Sequence, residues 1–129
     1  MKIYLNPYLK IKDIKRNFEN FFPYLKLEFF KPRSEFVEST SHKDVIPNSS
    51  FLVDATGVLT TVEIEINSKQ TVAEVEQLFK SLFNLPVRIF RKTRFSSVEI
   101  AHTDNVTLET EDKIGRKLCN AVYDEEILW

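Results

Sequence analysis

The chain has 129 residues, 43% of them hydrophobic and 29% charged, which is the make-up of one globular domain rather than a disordered chain. Eleven Phe stand against two Gly, Gly57 and Gly115, which excludes a glycine-rich phosphate cradle. A single Cys excludes an internal disulfide and a cysteine cluster for zinc, and a net charge of -1 argues against a globally basic nucleic-acid binder.

In chain order, Ile3 and Leu5 alternate with polar neighbours and predict a short strand. The apolar run then breaks at Asn6-Pro7, and Lys10, Lys12, Lys15 and Arg16 follow, so no signal peptide is expected. No segment approaches the roughly 20 apolar residues of a membrane span. Ile11, Ile14, Phe18, Phe21 and Phe22 recur at helical spacing and predict an amphipathic helix, with Asn6-Pro7 as a candidate early start. Pro23 stops it, and Leu25–Phe30 reads as a strand. Residues 32–50 have no period and form an irregular connection, to which Phe36, Val37, Val45 and Ile46 add apolar anchors. Phe51-Leu52-Val53 reads as a strand, Asp54–Gly57 as a turn and Val58–Ile66 as a long strand, with Glu63 and Glu65 on its polar face. Thr71 and Glu74 form a capping box for a helix whose apolar stripe is Val72, Val75, Phe79, Leu82 and Phe83. Asn84-Leu85-Pro86 ends that helix; Val87–Phe90 reads as a strand and Ser97–Ala101 as its hairpin partner. Thr107–Ala121 predicts a last helix with Leu108, Ile114 and Leu118 inward.

The chain matches itself. Residues 2–22 lie over 63–83 without a gap, and after one dropped residue the match runs on to 31 and 91. Ile3, Asn6, Phe18 and Phe22 meet Ile64, Asn67, Phe79 and Phe83 as identities. Each half thus reads β-α-β, within a single domain spanning 1–129. The expected class is α+β, with two β-α-β repeats (2–31 and 63–91) in a ferredoxin-like β-α-β-β-α-β two-layer sandwich carrying extra strands. The alternative is a β-grasp core from about residue 51, since Thr56-Gly57, Thr61–Ile66, Thr71–Val75 and Arg88-Ile89-Phe90 look like the ubiquitin-like pattern.

Several strings resemble a group of small bacterial proteins of unassigned activity. They are Phe22-Pro23-Tyr24-Leu25-Lys26-Leu27-Glu28-Phe29-Phe30, Thr71-Val72-Ala73-Glu74-Val75-Glu76, Phe90-Arg91-Lys92 and Thr103-Asp104-Asn105-Val106-Thr107-Leu108-Glu109. Where that group has a Ser-Gly pair and tryptophans, this chain has Thr93-Arg94, Ser97-Val98 and Val106. The resemblance implies an intracellular bacterial origin and supplies no catalytic residues.

The residues with chemistry are scattered. His42 lies in the irregular segment; His102 and Asp104 flank Thr103 after a strand. Neither has the oriented partners a triad needs, and two distant His make no metal site without a third ligand. Cys119 falls near the apolar face of the last helix and reads as a structural thiol. Glu109, Glu111 and Asp112 suit the dipole of that helix. No catalytic residue, cofactor or metal site is therefore expected; an enzyme would need Glu63, Glu65 or His102 in a cleft.

Arg88, Arg91, Lys92 and Arg94 make a basic cluster interleaved with Phe90 and Phe95, and Lys31-Pro32-Arg33 closes the first half similarly. Such strands clamp single-stranded nucleic acid in sheet-faced modules and equally block edge association. The acidic tail ends in Ile127, Leu128 and Trp129, a candidate docking segment. The expectation is a non-enzymatic cytoplasmic protein-interaction module, its partner another protein or a second copy in a homodimer, with no membrane contact. The alternative is a weak single-stranded nucleic-acid binder through segment 88–94.

Overall fold

The computed structural model describes residues 2–31, 45–101 and 105–120. His42, His102, Asp104, Phe36, Val37 and the Ile127–Trp129 tail lie outside the described residues. Within them the chain is mixed α+β. The order is β1 (Lys2–Leu5), α1 (Ile11–Phe21), β2 (Leu25–Phe29), α2 (Leu52–Thr56), β3 (Val62–Glu65), α3 (Val72–Phe83), β4 (Val87–Lys92), β5 (Ser97–Glu99) and α4 (Leu108–Asn120).

The strands divide into two antiparallel sheets, β1-β3 and β2-β4-β5. In a ferredoxin-like sheet β2 and β4 would stand at opposite edges of one layer; here they are direct neighbours. The physical reason is that both are apolar on one face. Leu25, Leu27 and Phe29 of β2 lie beside Val87 and Ile89 of β4, so one ladder buries both rows. The β-grasp hairpin is also absent from the described residues, because Phe51-Leu52-Val53 is not a strand. Leu52–Thr56 form a short helix, which Gly57 ends in the left-handed conformation at φ 73°. The expected turn at Asp54–Gly57 is therefore a helix end. The long strand expected over Val58–Ile66 shortens to Val62–Glu65.

The helix starts follow their caps. Thr71 Oγ1 accepts from the Glu74 N–H at 3.3 Å, and Glu74 Oε1 accepts from the Thr71 N–H at 3.3 Å. Ahead of α1, Asn6 does not begin the helix. Its Oδ1 accepts from the Tyr8 N–H at 2.8 Å in a local turn, and Asp13 Oδ2 takes the Lys10 N–H at 3.2 Å. Phe22 and Phe83 are buried while their neighbours Phe21 and Leu82 are exposed, so the stripe expected from sequence is one residue wider in each half than the face that is covered.

The two halves are built alike beyond the segment expected from sequence. Asn67 Oδ1 accepts from the Lys69 N–H at 2.8 Å, as Asn6 does from Tyr8. The Leu52 N–H donates to the Leu9 carbonyl at 2.8 Å, and the Leu108 N–H donates to the Gln70 carbonyl at 2.8 Å. The Ile46 N–H donates to the Phe29 carbonyl and the Ile100 N–H to the Ile89 carbonyl, at 2.8 and 2.9 Å. Lys10 bridges Phe51, and Thr71 bridges Thr107. So α2 and α4 hold matching places, as do Ile46 and Ile100. Like strands pair with like: β1 with β3, and β2 with β4. In each ladder one residue faces its own counterpart, Ile3 facing Ile64 and Glu28 facing Arg88. That is a local pseudo-twofold relation.

One core joins both sheets. Phe18 and Phe22 pack at 5.2 Å between ring centroids, Phe79 and Phe83 at 6.2 Å, and Phe29 meets Phe79 edge-on at 5.6 Å. The inward face of α4 differs from the Leu108–Ile114–Leu118 stripe expected: Leu108, Glu111 and Gly115 are buried, whereas Ile114 is half-buried and Leu118 exposed. The cause is close approach. A Cβ at Gly115 would stand 2.8 Å from the Tyr24 carbonyl oxygen and 2.9 Å from Tyr24 Cβ, so only glycine lets α4 rest there.

Candidate functional site

Strand β4 carries the basic cluster, and alternation sends its cations to both faces. Arg88 leaves the outer face. Its guanidinium donates to the Val87 carbonyl at 2.8 Å and lies 3.6 Å from Glu76 Oε1 and 3.9 Å from Glu99 Oε1. Arg91 turns inward and bonds Glu111 of α4 at 2.7 Å. Glu111 is only 1% exposed. Lys92 donates to the Pro23 carbonyl at 3.0 Å and lies 3.5 Å from Glu19 of α1. Arg94 stacks on the Phe95 ring, 4.9 Å from its centroid. Arg88, Arg91 and Lys92 thus meet carboxylates from α1, α3, β5 and α4 and fasten β4 to its surroundings.

Glu76 is the unusual carboxylate here. It is 9% exposed, and its Oε2 has no hydrogen-bond partner among the described residues. Burial pushes its pKa up to about 7; Arg88 and the Ile89 N–H pull it down and Glu99 pushes it further up. The acids at the start of α4 do more than meet a helix dipole. Glu111 holds Arg91, Asp112 Oδ1 accepts from the Tyr24 N–H at 2.8 Å, and Glu109 pairs with Lys69. Lys69 holds the Glu109 carboxyl below the usual carboxylate range.

Beyond β4 the chain turns at Thr93–Ser96, where the Thr93 N–H donates to the Ser96 carbonyl at 2.9 Å. Phe95 at this tip is 88% exposed and Val98 on β5 is 51% exposed. The Ile100 N–H bonds to the Ile89 carbonyl, so alternation turns Val98 toward Arg91 and leaves the N–H and C=O of Ser97 and Glu99 pointing away from β4. No other strand pairs with β5 among the described residues. The site is therefore a short open strand edge beside an exposed aromatic.

The other candidates separate. Glu63 lies 3.6 Å from Lys2 Nζ, and Glu65 lines an open cavity of about 340 Å³ with Phe21, Phe22, Ile66, Asn67 and Ser68. Cys119 is half-buried on α4. Among the described residues no three His, Cys, Asp or Glu side chains gather to hold a metal ion, and no helix is long and apolar enough to cross a membrane.

Sequence reasoning found the cations but missed Glu76, the Arg91 partner Glu111, and Gly115. A usable signal existed in the self-match: Lys15 and Glu76 are counterparts, as are Glu28 and Arg88, with the signs reversed. No family model matches the chain, and no curated protein or solved structure matches it.

Proposed function

We propose that the chain is a small cytoplasmic protein-interaction module, rather than an enzyme, and that it engages a second copy of itself through the β5 edge. The observation that carries this reading is the outward N–H and C=O of Ser97 and Glu99 on an edge flanked by Phe95 and Val98, which are 88% and 51% exposed. An unpaired strand edge is a template for another strand. Antiparallel pairing of two β5 strands about Val98 sets Ser97 opposite Glu99 of the second copy. Both residues present outward groups, so the pairs are hydrogen-bonded, and no Glu99 faces another Glu99. The cytoplasmic part of the reading rests on Cys119, a lone cysteine that suits a reducing compartment.

Binding of single-stranded nucleic acid would ask a phosphate backbone to displace Glu76, Glu111 and Glu19 from Arg88, Arg91 and Lys92. The paired cations favour the interaction reading.

Sedimentation velocity from micromolar to millimolar concentration tests it. The native chain is expected to pass from monomer to dimer. Val98→Lys sets two ammonium groups side by side at the contact and is expected to stay monomeric with an unchanged circular dichroism spectrum. A native chain that stays monomeric throughout, or a Val98→Lys chain that dimerises equally, would overturn the proposal.

A further inference from the structure

The signs of the charges at the pseudo-twofold axis are not arbitrary. In the first half Lys15 of α1 holds Glu28 of β2 at 2.9 Å, and both side chains are largely covered. In the second half the counterparts are Glu76 of α3 and Arg88 of β4, at 3.6 Å. The helix–strand pair is kept and its polarity is reversed. Glu28 and Arg88 also face each other directly in the β2–β4 ladder, so this is the position where each half meets its own counterpart.

Consider the pairings that the shared construction would permit. Two first halves would set Glu28 against Glu28, and two second halves would set Arg88 against Arg88. The β1–β3 ladder adds to this. As built, Lys2 faces Glu65 and Tyr4 faces Glu63, and Lys2 Nζ lies 3.6 Å from Glu63. Two second halves in the same register would set Glu63 against Glu65 on both sides of the Ile64 pair. Like charges directly opposite in a ladder are destabilising.

We propose that the reversed charges at the pseudo-twofold axis select first half against second half, and exclude pairing of like halves between copies of the chain. The specificity lies in the repulsion of the wrong pairings as much as in the attraction of the right one. It is independent of the β5 edge, which lies outside both dyad ladders.

The test is a cycle on the full chain. Lys15→Glu with Glu28→Arg gives the first half the polarity of the second; Glu76→Lys with Arg88→Glu does the converse. Each double variant keeps its helix–strand pair and creates a like-charge encounter across β2–β4. The fourfold variant exchanges both pairs and restores opposition. Lys26 lies 3.2 Å from Glu28 and disturbs both variants that carry Arg at position 28, and Glu99 lies 3.9 Å from Arg88 and disturbs both that carry Glu at position 88, so each cancels in the coupling. Both doubles are expected to melt below the native chain. The fourfold variant is expected to lose clearly less than the sum of the two doubles. If a double fails to fold, a fourfold variant that melts cooperatively supports the proposal equally. Doubles that melt like the native chain, a fourfold loss equal to the sum of the two, or a fourfold variant that does not fold would overturn it.

Discussion

Glu111→Ala is expected to lower the unfolding free energy by about 3 kcal/mol, the lower end of what breaking a buried ion pair costs. The carboxylate is 1% exposed and receives the Arg91 guanidinium at 2.7 Å. Arg91 Nε already has no hydrogen-bond partner among the described residues. Removing Glu111 therefore leaves a cation facing the seam between α4 and β4 with its main neutralising group gone. The Arg91 side chain keeps 26% of its surface in water, and that hydration limits the loss. Glu111→Gln keeps the shape and one acceptor and should lose about half as much. Urea unfolding checks both, with a lower midpoint at an unchanged slope. A loss under about 1 kcal/mol would make the pair no stronger than a surface one.

Glu76→Gln should act in the opposite direction, and only above the acid range. The folded pKa of about 7 lies above the ordinary value of 4.5, because burial disfavours the charged form. Below pH 4.5 the carboxyl is neutral in both folded and unfolded chains and carries no penalty. Between 4.5 and 7 the unfolded chain ionises first, so stability falls as pH rises, and above 7 the full penalty stands. That difference corresponds to about 3 kcal/mol. Gln at this position removes the penalty while keeping the volume. The expected result is a stability gain of about 3 kcal/mol at pH 8, since the folded value already includes the attraction of Arg88, and almost none at pH 4. Urea midpoints at the two pH values measure it. A variant less stable than the native chain at pH 8 would mean that the Arg88 pair outweighs the burial of Glu76.

Much of the fold was legible where a local signal sufficed. The 3.6-residue stripe placed α1 and α3, the Thr71–Glu74 box placed a helix start, alternation placed β1 and β3, and runs of aromatic and aliphatic residues placed β2 and β4. What failed was of two kinds. Strand pairing is a choice among distant partners, and nothing in the period of β2 says whether β4 or β3 lies beside it. Segment 51–57 failed because Leu52 and Val53 read as strand in isolation. Tertiary hydrogen bonds to the Leu9 and Pro7 carbonyls hold them as a helix instead. The inward face of α4 was hidden because it uses a glycine and a carboxylate where hydrophobicity predicts Ile114 and Leu118. The site was half legible. Arg88, Arg91, Lys92 and Arg94 stood out as a run, but the acids that meet them come from four other elements. A local reading sees a basic patch where the packed chain has ion pairs.

The pairing of like strands with like about a pseudo-twofold axis leaves β5, among the described residues, as an open edge. Its most direct test is the pattern of short Hα–Hα contacts in the nuclear Overhauser spectrum of the native chain. Leu27 and Ile89 face each other at a non-hydrogen-bonded position of the β2–β4 ladder, as do Leu25 and Arg91, and such pairs bring their α-protons closest. Strong contacts within both pairs are the expected result. Their absence, with contacts instead between β2 and β3 or between β1 and β4, would return the chain to the ferredoxin-like sheet and contradict the pairing described above.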